Sequence, residues 1–160
     1  MPLVERLDHL YRARAVEGEM PLYSVYTLGV AGERFFRAIK DEGKILGTRC
    51  DSCDVMYVPG RLYCERCFAH LGDETWFDAG GLGQVHTFTV LHIGPDGAPL
   101  EIPRILAFVE LDETDGGLVH ELGEVTFDEL FIGMPVEAVF KAAEERTGSI
   151  NDILYFRPIE

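Results

Sequence analysis

From Trp76 onward the chain shows a short-period pattern of apolar and polar positions. Five runs carry it: GLGQVHTFTVLHI (81–93), RILAFVELD (104–112), GLVHELGE (117–124), MPVEAVFKAA (134–143) and NDILYFRPI (151–159). They alternate or are rich in β-branched and aromatic residues, and turn formers such as Gly94-Pro95-Asp96-Gly97 separate them. Five short strands in roughly eighty residues, with no long helix between them, predict a small barrel or sandwich. The connection VTFDELFIGMPV holds a candidate helical turn at FDEL, between the third and fourth strands. That order is the plan of a five-stranded OB-fold barrel.

Upstream the period lengthens. Leu3, Leu7, Leu10 and Tyr11 fall on one face of a helix over residues 3–17. The stretch EMPLYSVYTLG comes next as an extended linker, punctuated by Pro21 and Gly29. A second helix is predicted over Ala31–Glu42, with Phe35, Phe36, Ile39 and Leu46 on its apolar side and Gly43 as its stop. The expected architecture is mainly β with N-terminal helices. It divides into a helical extension (1–46), a cysteine-bearing ribbon (47–72) and an OB-fold domain (73–160).

The middle region carries the chemistry. All four cysteines fall within RCDSCDVMYVPGRLYCERCF, as the pairs Cys50/Cys53 and Cys64/Cys67. A two-residue spacer lets both thiolates of a pair point at one ion from a tight turn, and two such pairs close a tetrahedral S₄ shell. A reducing compartment disfavours disulfides. A redox Cys-x-x-Cys occurs once, in a thioredoxin-like setting that is missing here. Zinc is the expected ion, with a rubredoxin-type iron as the alternative. Four cysteines leave no open position for water, so the role expected of the metal is structural. Asp54 and Phe68 come directly after the second cysteine of each pair, where a left-handed residue is usual. Phe tolerates that conformation poorly, so the second knuckle is expected to be the less regular one.

Charge narrows the partners. The chain carries a net charge of -14. Affinity for nucleic acid comes mainly from Lys and Arg, so an OB module reading nucleic acid is disfavoured. Between Arg34 and Arg66, however, seven basic residues face five acidic ones. If the protein binds an anion, this is the side expected to do it. No apolar run approaches the roughly 20 residues of a membrane span, and the first residues lack the apolar core of a signal peptide. A cytoplasmic location is expected.

A helix, a four-cysteine ribbon and a five-stranded barrel, in that order, resemble the DUF35 family. These are rubredoxin-like zinc ribbon plus OB-fold proteins associated with acyl-CoA thiolases. The resemblance covers about residues 32–158 and rests on ERFFRAIKDEGKILGTRCDSC, VPGRLYCERC, GLGQVHTFTVLH, IGMPVEAVF and the tail GSINDILYFRP. One departure is VPGR, where the family often has two prolines before the Arg. The resemblance implies a non-catalytic accessory subunit of a heteromeric thiolase. A thiolase-superfamily chain would supply the nucleophilic Cys and the acid/base His. Alternatives within it are a thiolase-like retro-aldolase and a scaffold joining two CoA enzymes. The long N-terminal extension is similar to members paired with aromatic or steroid acyl-CoA thiolases, the benzoylsuccinyl-CoA type among them. Coenzyme A thioesters become the expected ligand of the complex, and Arg49, Arg61 and Arg66 are candidates to face its phosphates. Their plain alternative is a solvated charged face.

Independent catalysis is not expected. The metal uses every cysteine, so no thiol remains for acyl transfer. His9, His70, His86, His92 and His120 have no nucleophile beside them in sequence. His86 and His92, six apart on one predicted strand, are expected to share a face, and His120 to be a satisfied structural residue. Gly80-Gly81-Leu82-Gly83 precedes a strand rather than a helix, so it is a turn and not a phosphate cradle.

Overall fold

A helix stops where its sequence supplies a residue that can leave it. In the computed structural model, which describes residues 26–159, α1 spans Gly29–Glu42. Gly43 then adopts φ 67°, and its N–H donates to the Ile39 carbonyl. Phe35, Ala38 and Ile39 are the buried stripe of α1, at the three- and four-residue spacing of one helical face. The helix predicted over residues 3–17 lies outside the described residues.

Three short strands come next: β1 (Leu46–Cys50), β2 (Val55–Tyr57) and β3 (Trp76–Asp78). They form an antiparallel sheet in the order β2-β1-β3. Trp76 therefore begins a ribbon strand, and the barrel starts a few residues later.

The barrel consists of β4 (Leu82–Ile93), β5 (Pro99–Leu111), β6 (Gly117–Leu122), β7 (Pro135–Phe140) and β8 (Ile153–Pro158). It closes in the order β4-β5-β6-β8-β7. All pairings are antiparallel except β6 with β8. This is the five-stranded OB-fold expected from the five runs. The FDEL turn is present as a 3₁₀ turn at Phe127–Glu129, capped reciprocally by Thr126 and Glu129.

The first half of β4 and the second half of β5 alternate because one face of each fills the barrel. Val85, Ala107, Val109, Val136 and Phe156 are all but fully buried inside it. Phe35 and Ile39 of α1 and Val58 of the ribbon join the same core. A second, much smaller core holds Cys50, Val55, Tyr57, Cys64 and Leu71. The two are tied where β2 meets the β5–β6 turn. The Met56 N–H donates to Asp115 Oδ2 at 2.9 Å, and the Asp115 N–H donates to the Met56 carbonyl at 2.9 Å.

His86 and His92 do not follow a simple alternation. A bulge inserts His86 between the paired residues Val85 and Thr87, and a second register shift spans Leu91 to Ile93 around His92. Each shift offsets the side-chain alternation on which a shared face depended.

Candidate metal centre and its surroundings

The second core is too small to fold on five side chains, and it is built around sulfur. Cys50 ends β1, and the Cys53 N–H returns to the Cys50 carbonyl at 3.3 Å. Cys64 and Cys67 occupy the tip of a second small hairpin. It is held by Leu71 N–H to the Leu62 carbonyl (2.8 Å) and Cys64 N–H to the Ala69 carbonyl (3.0 Å). The Phe68 N–H donates back to the Cys64 carbonyl at 2.9 Å, closing the second knuckle. Asp54 has φ 50° and Phe68 φ 59°, so the two knuckles have the same left-handed exit. The expected irregularity of the second is thus absent. Closure around the cysteines overrides the poor intrinsic preference of Phe, whose ring projects into solvent.

The four Sγ atoms lie within 4.8 Å of one another, with Cys50 and Cys67 at 3.6 Å. Cys50 and Cys64 are buried, Cys53 is half-buried and Cys67 is exposed. Such crowding penalises ionisation. The Cys53 thiol is pushed up to about 12, first by its bond with Cys67 and then by burial, and burial raises Cys50. Cys64 goes the other way, to about 6, because the Tyr57 hydroxyl donates to it and the knuckle N–H groups of Cys67 and Arg66 point at its sulfur. A divalent cation among the sulfurs is what allows all four to be thiolates together. The donor set fits a tetrahedral structural zinc, and its closed shell leaves no position for a reacting water.

The three arginines sit on the ribbon surface. Arg49 pairs with Asp54 at 2.9 Å and with Asp51 at 3.4 Å. Arg61 pairs with Glu65 at 2.5 Å and lies over the Tyr57 ring at 4.8 Å. Arg66 has no ion pair among the described residues. Sequence reasoning counted these carboxylates on the same segment but did not pair them with individual arginines, although Glu65 at four residues from Arg61 was a readable signal. A groove of about 320 Å³ between ribbon and barrel is lined by Arg49 with Asp51, Glu74, Asp78, Asp112 and Glu113. That sign of charge repels a polyphosphate.

Among the described residues the histidines do not form a catalytic cluster. His120 is half-buried, with Nδ1 accepting from the Glu121 N–H at 2.8 Å and Nε2 3.3 Å from the Ile150 carbonyl. It is the satisfied structural residue expected. His86 faces solvent with Nδ1 3.3 Å from Glu110, and His70 stacks edge-on against Tyr63. A buried carboxylate escaped the sequence reading. Asp152 Oδ2 accepts from the N–H groups of Thr147, Gly148 and Ser149 at 2.9, 2.6 and 3.0 Å. It ties the turn before β8 beneath α1. No helix among the described residues is long and apolar enough to cross a membrane.

Ribbon geometry and barrel topology together define a zinc-ribbon OB-fold protein. Residues 37–71 match the ChsH2 rubredoxin-like zinc ribbon domain, and residues 76–141 match the ChsH2 C-terminal OB-fold domain. A DUF35 domain-containing scaffold protein of Methanocaldococcus jannaschii is 32% identical over 79% of this chain and 90% of its own length. The chain belongs to the DUF35 family. Among solved structures, the Ltp2-ChsH2(DUF35) aldolase aligns with TM-score 0.58 and 32% identity, over 78% of this chain and 91% of that one. A DUF35-family protein from Sulfolobus solfataricus shares the fold with TM-score 0.60 and 23% identity, over 81% of this chain and 84% of that one.

Proposed function

We propose that this chain is a non-catalytic, zinc-stapled accessory subunit of a heteromeric acyl-CoA enzyme, with a thiolase-superfamily chain as its catalytic partner. The observation that carries the reading is the 32% identity to a solved DUF35 chain within the Ltp2-ChsH2(DUF35) aldolase, over nearly all of that chain's length. The chemistry agrees with it. Every cysteine is in the metal cluster, and no histidine among the described residues touches a nucleophile.

In this reading Cys50, Cys53, Cys64 and Cys67 hold a structural zinc. The extension (1–46) contacts the partner, the ribbon, with β3 in its sheet, faces the CoA arm, and the barrel from Leu82 onward shapes the acyl site. Arg66 is the first candidate for the CoA phosphates. Arg61 can join it by exchanging its carboxylate partner, because an exposed ion pair contributes only about 0–1 kcal/mol, whereas Arg49 lines the acidic groove and is the least favoured of the three. The ligand approaches from the ribbon side, away from the acidic groove.

Two reactions fit such a complex: thiolytic cleavage or condensation of 3-oxoacyl-CoA, and retro-aldol cleavage of a 3-hydroxyacyl-CoA. The aldolase relative favours the second. Reconstitution separates them. The zinc-loaded chain is mixed with its catalytic partner and assayed with a 3-oxoacyl-CoA plus free CoA, and separately with a 3-hydroxyacyl-CoA. Turnover of either one only in the mixture supports the accessory role and assigns the reaction. Turnover by this chain alone overturns it.

A further inference from the structure

Among the described residues, one side of β4 is open beyond Val85. It pairs with β7 only from Leu82 to Gln84, and Val85 then exchanges bonds with Gly133 and Met134. There the β6–β7 connection turns away, at Gly133 with φ 89°. From Thr87 onward β4 pairs with β5 alone among the described residues. β5 in turn pairs with β6 only from Ile105 to Glu110. The hairpin beyond is a two-stranded arm, and two strands alone are weakly stable in water.

The two edges of the arm differ. Pro99 and Pro103 remove donors from β5 and blunt its edge. Residues 87–93 of β4 read TFTVLHI, with no Pro, Gly, Lys, Arg or carboxylate. They form an uncharged template of high strand propensity on a chain of net charge -14. Both ends of this edge carry exposed apolar side chains. Phe131 (55%) and Ile132 (70%) stand at the barrel end, and Ile93 (61%) and Ile102 (80%) at the tip.

We infer that a second copy of this chain adds to the β4 edge, antiparallel about Val90, giving a two-fold dimer with one continuous sheet. Antiparallel pairing sets Thr87 of one copy opposite Ile93 of the other, twice. The apolar tip of each arm then covers Phe131 and Ile132 of its mate, so the surface is self-complementary as an isologous contact requires. Covering those four side chains on both copies removes on the order of 1,000 Å², the size at which a specific interface begins. This dimer goes beyond the accessory role and holds whichever reaction the partner performs.

The test is light scattering on the full-length zinc-loaded chain across a concentration series. The wild type is expected to be a dimer. Ile93→Lys and Ile132→Glu each weaken it on the order of a hundredfold, as loss of a central contact does. Both positions are exposed, so the variants keep wild-type zinc content and circular dichroism. Mixing the two variants restores a dimer, because one end pairs the new ammonium with the new carboxylate and the other end is wild type. A wild type that stays monomeric, a dimer that persists in both variants, or a mixture that stays monomeric overturns the inference. So does a monomeric wild type whose binding to its catalytic partner is abolished by Ile93→Lys, since the edge then receives that subunit.

Discussion

The hydroxyl of Tyr57 lies 3.2 Å from the Sγ of Cys64, and both residues are buried. The bond pushes the tyrosine up to about 12 and is the leading reason that Cys64 falls to about 6. Tyr57 thus favours the thiolate form of one of the four sulfurs. In Tyr57→Phe the ring packing is kept and the donor is lost. Zinc affinity is expected to fall about tenfold, within the usual range for groups that orient metal ligands. Competition against a chromophoric chelator measures it. Unchanged affinity would mean that the bond is incidental.

Zinc removal should act on one core and spare the other. The ribbon core consists of five side chains, two of them cysteines, whereas the barrel core draws on five strands and α1. Cys64→Ser, or a strong chelator, is expected to release zinc and unfold the ribbon. Amide exchange should then quicken across β1 and β2, while Val85, Val109 and Phe156 remain protected. A metal-free Cys64→Ser protein with a protected ribbon would contradict this.

Much of this organisation was legible in the sequence, and the reasons differ by element. The cysteine spacing names a tetrathiolate site because two tight turns have few other uses for four sulfurs. The barrel strands were legible where one face is buried, as in β5, whose Ile105, Ala107, Val109 and Leu111 fall on a two-residue period. Bulges are not written in that period. His86 sits where one extra residue must be absorbed, and only the pairing with β5 reveals it. Trp76 looked like the start of the barrel because it shares strand character with the barrel strands beyond it. Its pairing with Thr48 in the ribbon is a long-range choice. The left-handed Phe68 shows tertiary closure overriding local preference. The ion pairs of Arg49 and Arg61 left the anion-binding expectation resting chiefly on Arg66.

The turn before β8 depends on one carboxylate. Asp152 is fully buried. Its burial favours the neutral form, but the N–H groups of Ser149, Thr147 and Gly148 outweigh it and hold the group below its ordinary value. Asp152→Ala leaves those three donors without their acceptor. The expected cost is about 1–3 kcal/mol, read as a lower urea midpoint with unchanged slope. A loss within measurement error would show that the turn finds other acceptors.

Stability should fall on mild acidification through His120. Burial lowers its pKa, and the Ile150 carbonyl only partly opposes that. The unfolded chain therefore takes up this proton first. The full contribution is present above about 6.5, the ordinary value, and is lost as pH falls towards the lower folded value. Urea midpoints at pH 7 and pH 5 should differ in the wild type and differ less in His120→Gln. An identical pH dependence in both proteins would remove His120 from the account.

The central claim is that this chain works as a partner and not alone. The most direct measurement is an affinity pull-down of the full-length chain from its native cells. The eluate is identified by mass spectrometry and assayed for cleavage of acyl-CoA substrates. The account predicts a co-eluting thiolase-fold chain in stoichiometric amount, with activity that requires both proteins. A chain that elutes alone and still turns over acyl-CoA would contradict it.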